Sequence, residues 1–227
     1  MRRPGLFLIL ILMLLLAAPA AAEELRGRLQ LVGKGGKGAA KGSDVRQALV
    51  WFEPASPTPA RPPETSFVMT TRDKQFVPRT LTIPVGSRVR FPNEDVILHN
   101  VFSVSGSNSF DLGLYRRGKG KEQKFDQPGL VRVFCNVHHS MVGYILVLQS
   151  PFVATPDAEG RFALTGLPKG PGRLTVWHEQ AEPASMDVQV PRAEPLAPRL
   201  EIVRPRIPPH LNKTGKSYST RDNYNQR

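Results

Sequence analysis

The sequence predicts an all-β protein of stacked antiparallel sheets. Three observations lead there. Apolar residues recur in short runs with the two-residue alternation of half-buried strands. Gly-, Pro- and Asn-containing turns punctuate those runs at close intervals. No stretch of the central region repeats its apolar residues at helical spacing. Short strands with regular turns favour an antiparallel sandwich or barrel.

The first segment is a targeting element rather than part of the fold. Arg2 and Arg3 precede an apolar run from Leu6 to Leu16, and Ala20-Ala21-Ala22 leads into Glu23. That is the layout of a secretory signal peptide (residues 1–22) cleaved after Ala22; the run is short for a membrane span, although an uncleaved anchor is the alternative. A bacterial periplasm is the expected destination, other exported locations remaining open. Loss of Arg2 and Arg3 takes the formal charge from +12 to +10. A surface this basic suits nucleic acid, anionic lipid or an acidic protein. Export argues against nucleic acid, as does the lack of interleaved aromatic and basic residues for base stacking. An acidic protein partner is the expectation.

Residues 25–32 alternate as a strand, a Gly- and Lys-rich loop follows, and residues 48–52 form a second strand. Five prolines between Pro54 and Pro63 mark a stiff linker or surface loop. Residues 23–65 are therefore N-terminal strands plus linker. Residues 66–149 carry strands at 67–70, 80–83, 87–91, 100–104, 122–125, 130–134 and 143–148, separated by turns such as Pro84-Val-Gly86 and Gln127-Pro-Gly129. Residues 150–204 carry another set at 152–154, 161–164, 173–177, 186–190 and 200–203. Residues 205–227 are polar, a disordered or surface-draped tail. The segment 115–124, with two arginines and three lysines, reads as a basic loop: either a solvated hairpin or a surface that steers an acidic redox partner.

Cys135 is the only cysteine. In an oxidising compartment an unpaired thiol must be protected or used, and a metal bond does both. Cys135-Asn-Val-His138-His139-Ser-Met141 gathers a thiolate, an imidazole and a thioether between two predicted strands, and His99 opens another strand 36 residues earlier. Two imidazoles, a thiolate and a weak thioether are the ligand set of an electron-transfer copper site. Zinc accepts Cys and His but seldom Met, and its structural sites want four strong ligands. Taken singly, Cys135 could be core filling, as could Met141, and His99 an ordinary strand histidine; their combination favours one copper ion. Neighbours on a tight loop point apart, so His138 is the expected ligand and His139 is more exposed, at an electron exit or docking surface.

These residues resemble the plastocyanin and amicyanin branch of the cupredoxins. Thr80-Leu-Thr-Ile-Pro-Val-Gly-Ser-Arg-Val-Arg-Phe-Pro-Asn93 is similar to the strands leading to that family's first histidine, and His99-Asn-Val-Phe102 to its His-Asn motif. The Cys-x-x-His-x-x-Met spacing matches the short amicyanin-type loop. The resemblance implies a Greek-key cupredoxin sandwich over residues 66–149 holding a type 1 (blue) copper through His99, Cys135, His138 and Met141, with Asn100 bracing the ligand loop. One-electron carriage is the leading expectation, and the acidic redox partner that the basic segment 115–124 could steer is expected to be of the c-type cytochrome kind. The chain's layout further resembles bacterial proteins labelled methylamine-utilisation proteins. One position departs from the pattern: Val137 stands where relatives usually have proline, and its N–H can reach the Cys135 sulfur and raise the reduction potential.

Asp157-Ala-Glu-Gly-Arg-Phe-Ala-Leu-Thr-Gly-Leu-Pro-Lys-Gly170 and Leu174-Thr-Val-Trp-His178 resemble a carboxypeptidase regulatory-like β-sandwich. Such domains are non-catalytic. The likeness implies a second small sandwich built from both ends of the chain, with the copper domain inserted, Trp51 and Trp177 as core partners and His178 as a strand histidine. No nucleophile–base pair, paired carboxylates or second copper cluster stands out, which favours a non-enzymatic role. The alternatives to electron carriage are a periplasmic copper-binding or delivery module and an interaction protein with a secondary copper site.

Overall fold

A computed structural model of the chain describes residues 23–36, 38–40 and 42–218. Residues 1–22, where a signal peptide is expected, and residues 219–227 of the tail lie outside the described residues. Among the described residues there is no α-helix and no helix long and apolar enough to cross a membrane.

The chain opens with β1 (Glu23–Arg28), β2 (Gln30–Val32) and β3 (Leu49–Pro54). The middle of the chain supplies β4 (Phe67–Val68), β5 (Thr70–Arg72), β6 (Gln75–Val77), β7 (Thr80–Pro84) and β8 (Ser87–Asn93). It continues with β9 (His99–Ser103), β10 (Phe110–Tyr115), β11 (Gly118–Phe125), β12 (Gly129–Phe134) and β13 (Val142–Leu148). The last strands are β14 (Val153–Ala154), β15 (Arg161–Leu167), β16 (Gly170–Trp177), β17 (Ala184–Val190) and β18 (Arg199–Glu201).

Ten central strands make two sheets, ordered β10-β9-β12-β13-β7 and β11-β8-β5-β6, with β4 also beside β8. The chain leaves one sheet for the other between β6 and β7, β7 and β8, β8 and β9, β10 and β11, and β11 and β12. Alternation drives the packing: β8 turns Ser87, Val89, Phe91 and Asn93 inward and Arg88 and Arg90 outward. Phe91, Val101, Phe125, Val131, Val133 and Ile145 fill the space between the sheets. The end segments join in a third sheet, β14-β3-β16-β17, and in two-stranded pairs, β1-β15 and β18-β2. One core cluster draws Leu25, Val50 and Phe52 from the first end segment and Leu164, Leu174 and Val188 from the last.

Strand β13 is buried on both faces, which explains its unbroken Val-Gly-Tyr-Ile-Leu-Val-Leu run. Ile145 and Val147 point into the central core. Tyr144, Leu146 and Leu148 point the other way, against Leu49 and Trp177 with Trp51 alongside. The result is a stack of β-layers, not two detached sandwiches. Trp51 and Trp177 consequently do not fill the core of their own sheet. On β3 and β16 successive side chains alternate, so Val50, Phe52, Leu174 and Val176 enter that core while both tryptophans face the central sheet. The Trp177 ring meets the Tyr144 ring edge-on at 5.3 Å, and Arg79 crosses the same boundary to Glu179 at 2.6 Å.

Segment 115–124 is mostly strand rather than loop. It forms β11, the exposed edge of its sheet, where Lys119, Lys121 and Lys124 project into solvent. Charged lysines on an edge strand discourage further pairing. A register shift between Gly118 and Lys121 requires a glycine in between: a Cβ on Gly120 would lie 1.7 Å from the Phe91 carbonyl oxygen.

Candidate metal centre

The site forms at one end of the central sandwich, where β9 begins and β12 ends. Phe134 pairs with Phe102, which brings the end of β12 beside β9. Cys135 follows Phe134, and residues 135–141 fold into a tight loop before β13. Met141 N–H donates to the His138 carbonyl (3.0 Å) and Cys135 N–H to the Met141 carbonyl (3.4 Å). The loop therefore closes on itself.

His99, Cys135 and His138 converge, their donor atoms all within 4.8 Å of one another. Cys135 Sγ lies 3.7 Å from His99 Nδ1 and 3.8 Å from His138 Nδ1. The histidine rings are 4.9 Å apart between centroids. All three side chains are buried, His138 being 4% exposed. Met141 is buried in the same core cluster as Cys135. These separations can be tested against a metal. With metal–nitrogen bonds of about 2.05 Å and a metal–sulfur bond of about 2.3 Å, S···N is about 3.8 Å at 120° and about 3.6 Å at a tetrahedral angle. The observed 3.7 and 3.8 Å fall within the range that a single ion bound by all three donors requires.

The support around the donors is equally specific. His99 Nε2 lies 2.7 Å from Asp95 Oδ2. An ionised carboxylate only accepts, so Nε2 carries the proton and Nδ1 presents its lone pair toward Cys135. Burial pushes Asp95 up, but the N–H groups of Lys74 and Asp73 and the His99 ring outweigh it and hold the carboxyl below its ordinary range. Those two amides come from the β5–β6 hairpin turn, where Asp73 and Lys74 both adopt positive φ, 53° and 54°. Consecutive left-handed residues are the signature of a two-residue hairpin loop. Burial pushes His99 below its usual value, with Asp95 opposing. Burial also pushes the Cys135 thiol up, against backbone N–H groups of Asn100, Val137 and His138 that pull it down.

Sequence reasoning singled out Asn100 and Val137, and both take the expected positions. Asn100 Oδ1 accepts the Asn136 N–H at 3.3 Å, and Val137 N–H donates to Cys135 Sγ at 3.4 Å. Asp95 was missed because Pro92-Asn-Glu-Asp95 reads as a turn. The available signal was a carboxylate four residues before a candidate ligand. His139 is half-buried and more exposed than His138, as expected, but its ring stacks on His210 at 4.6 Å, a contact from the distant tail. His178 is buried just beyond β16, where its Nδ1 accepts the Gln180 N–H at 3.2 Å, and it stands outside the converging group.

Beside His138 a cleft opens, lined by the apolar Val96, Ile97 and Leu98 and the basic Lys74, Arg116 and Arg117. Val96 is 86% exposed. The site thus meets solvent through one histidine, framed by apolar and basic side chains.

No protein-family model matches the chain, and no curated protein matches it. Solved structures similar to part of the chain include a purple cupredoxin from Nitrosopumilus maritimus, 23% identical, covering 37% of this chain and 100% of that one at a TM-score of 0.34. A variant of amicyanin in its reduced Cu(I) form is 19% identical, covering 43% of this chain and 98% of that one at 0.36. A Cu-containing nitrite reductase from Thermus scotoductus is 25% identical over 42% of this chain at 0.36, and only 25% of that enzyme's length is covered.

Proposed function

We propose that this chain is an exported one-electron carrier that holds a single type 1 copper ion through His99, Cys135, His138 and Met141. The observation that carries the reading is the convergence of two imidazole nitrogens and one thiol sulfur at 3.7 and 3.8 Å in a buried pocket. Copper, when bound, would supply a Cu(I)/Cu(II) couple. The protein's part is to present unprotonated donors, exclude water and hold the ligand loop still. Sulfur favours the reduced ion and nitrogen the oxidised one, so this mixed set serves both. Burial of all three donors favours carriage over substrate chemistry, because a reacting molecule would need direct access to them.

Docking is assigned to the cleft beside His138. Its apolar floor excludes water from a contact, and Lys74, Arg116, Arg117 and the lysines of β11 provide a positive field for an acidic redox partner of the c-type cytochrome kind. Residues 23–65 and 150–204 are read as one carboxypeptidase regulatory-like sandwich interrupted by the copper domain, residues 66–149. The shared core of the two end segments supports that division. The lone buried thiol supports an exported, metal-protected Cys135, with the periplasm as its compartment.

The test is the visible spectrum of the Cu(II)-loaded protein beside Cys135→Ser. An intense thiolate-to-copper band near 600 nm (roughly where such sites absorb) that vanishes in the variant is expected. Weak copper binding without that band would sink the carrier reading. With an acidic cytochrome, the electron-transfer rate should fall steeply as salt is raised, since exposed charges act over a Debye length of about 8–10 Å.

A further inference from the structure

We infer that the C-terminal tail is a working part of the metal centre, with Lys213 and Tyr218 as positioning residues that clamp the Cys135–Asn136 peptide. The inference rests on the metal-site reading above and extends it to a segment some 75 residues away in sequence from the ligand loop.

After β18 the chain returns across the end of the central sandwich. Arg79 Nη2 holds the Arg206 carbonyl at 2.7 Å. The His210 ring then inserts between Phe134 and His139, with centroids at 4.2 and 4.6 Å and planes tilted by 17° and 3°. Phe134 and His139 flank Cys135 and His138 in sequence, so the tail grips the ligand loop at both ends.

Asn212 organises the next turn: its Oδ1 accepts from the N–H groups of Thr214 and Lys216. That turn aims Lys213 at the loop twice. Its backbone N–H donates to Asn136 Oδ1 at 2.9 Å, and its ammonium donates to Asp111 Oδ2 at 2.6 Å. Asp111 Oδ1 accepts from Asn100 Nδ2 at 2.6 Å, and Asn100 Oδ1 accepts the Asn136 N–H at 3.3 Å. Lys213, Asp111, Asn100 and Asn136 therefore form a closed ring of hydrogen bonds.

Tyr218 completes the clamp by donating its hydroxyl to the Cys135 carbonyl at 3.0 Å. The peptide unit joining Cys135 to Asn136 then has both polar groups held from opposite sides. Its C=O is bound from the tail and its N–H from β9. A peptide plane fixed at both ends cannot rotate about its flanking bonds, and the direction of the Cys135 side chain is fixed with it.

The decisive comparison is the full chain against Lys213→Ala/Tyr218→Phe, with Lys213→Arg as the conservative variant. Both changes lie on the tail and leave the cores intact. Two measurements are made: amide hydrogen exchange of residues 135–141 in metal-free protein, and Cu(I) affinity by competition with a chromophoric chelator. The double variant should exchange the Asn136 and Met141 amides about tenfold faster and bind Cu(I) about 10–100-fold more weakly, as expected when partners of metal ligands are removed. Lys213→Arg should stay near the parent in both. Exchange and affinity both within twofold of the parent would overturn the inference. A parent protein that lacks the thiolate–copper band while the double variant still loosens the loop would refute the copper reading and leave the clamp supported.

Discussion

Asp95 offers the sharpest perturbation of the proposed centre. Its carboxylate accepts the Asp73 N–H on Oδ1 (2.8 Å) and the Lys74 N–H and His99 ring on Oδ2 (3.1 and 2.7 Å). Asp95→Ala leaves the turn amides and the His99 Nε2 proton without their acceptor, and the ring loses what selects its tautomer. Partners of this kind contribute about 10–100-fold to metal affinity, or about 1.4–2.7 kcal/mol. Asp95→Asn should fall between parent and alanine. One amide orientation keeps oxygen toward His99 and Lys74, but then turns NH₂ against the Asp73 N–H. Copper(I) competition titration gives the affinities, and ¹⁵N NMR of the metal-free protein reports the His99 tautomer, with Nε2–H dominant in the parent. Glu94→Ala is the control, since Glu94 engages Thr70 and Arg72 at the surface. Affinities for Asp95→Ala within twofold of the parent, or an unchanged tautomer population, would refute the assignment of Asp95 as the residue that orients His99.

Other perturbations follow from the same geometry. Val137→Pro deletes the 3.4 Å N–H···S contact; the richer thiolate favours Cu(II), and the midpoint potential should drop by roughly 30–60 mV, about three- to tenfold in the one-electron equilibrium. A potential equal to or above the parent's would contradict this. Because burial raises the Cys135 thiol and lowers His99, the metal-free site near neutral pH carries a protonated thiol and a neutral His99. Copper uptake should therefore release about one proton, with affinity rising about tenfold per pH unit until the thiol titrates; pH-independent affinity would count against that protonation state. Arg79→Met strands the buried Glu179 carboxylate, whose side chain is 2% exposed. The expected loss is about 3–5 kcal/mol, a fall of roughly 6–20 °C in Tm for a chain of this size, and a loss below about 1 kcal/mol would show that Arg206, 3.8 Å away, already compensates.

What the sequence made legible follows the reach of each interaction. Strands with clean alternation, such as β8, and the donor-rich loop at 135–141 were readable because their signals are local. Only the 122–125 end of β11 was legible, since the Gly- and Lys-rich residues before it on this exposed edge carry little apolar pattern. Strand β6 is three residues long and gave no periodicity to detect. Strand β13 showed an unbroken apolar run but not what lay on each side of it. Only the assembled layers reveal that Tyr144 meets Trp177 while Ile145 meets the central core. Local alternation likewise placed both tryptophans on strands without telling which face would be covered. The tail was the least legible part: polar and poor in apolar residues, it reads as a surface strand of chain, yet it packs through stacked rings and hydrogen bonds to residues some 75 to 100 positions away. Hydropathy carries no record of such contacts.

The manner of bracing supports the proposed electron carriage over the alternative of ion delivery. A site that hands its ion to a partner needs a ligand that can swing outward while the next protein takes hold. Here His99 is pinned through Asp95 to a hairpin turn, and Cys135 receives backbone N–H groups from Asn100 and Val137 on its sulfur. Met141 directly precedes a strand buried on both faces and is tied by its own amide to the His138 carbonyl. Releasing His99 or Cys135 would break at least one of these bonds inside a close-packed core, where unmade hydrogen bonds cost about 1–3 kcal/mol each. His138, which alone lines the cleft, is also the donor through which an electron can leave without the loop opening. Rigidity of this kind hinders exchange of the ion and lowers the rearrangement that accompanies a change of charge, so the architecture favours moving the electron and keeping the metal.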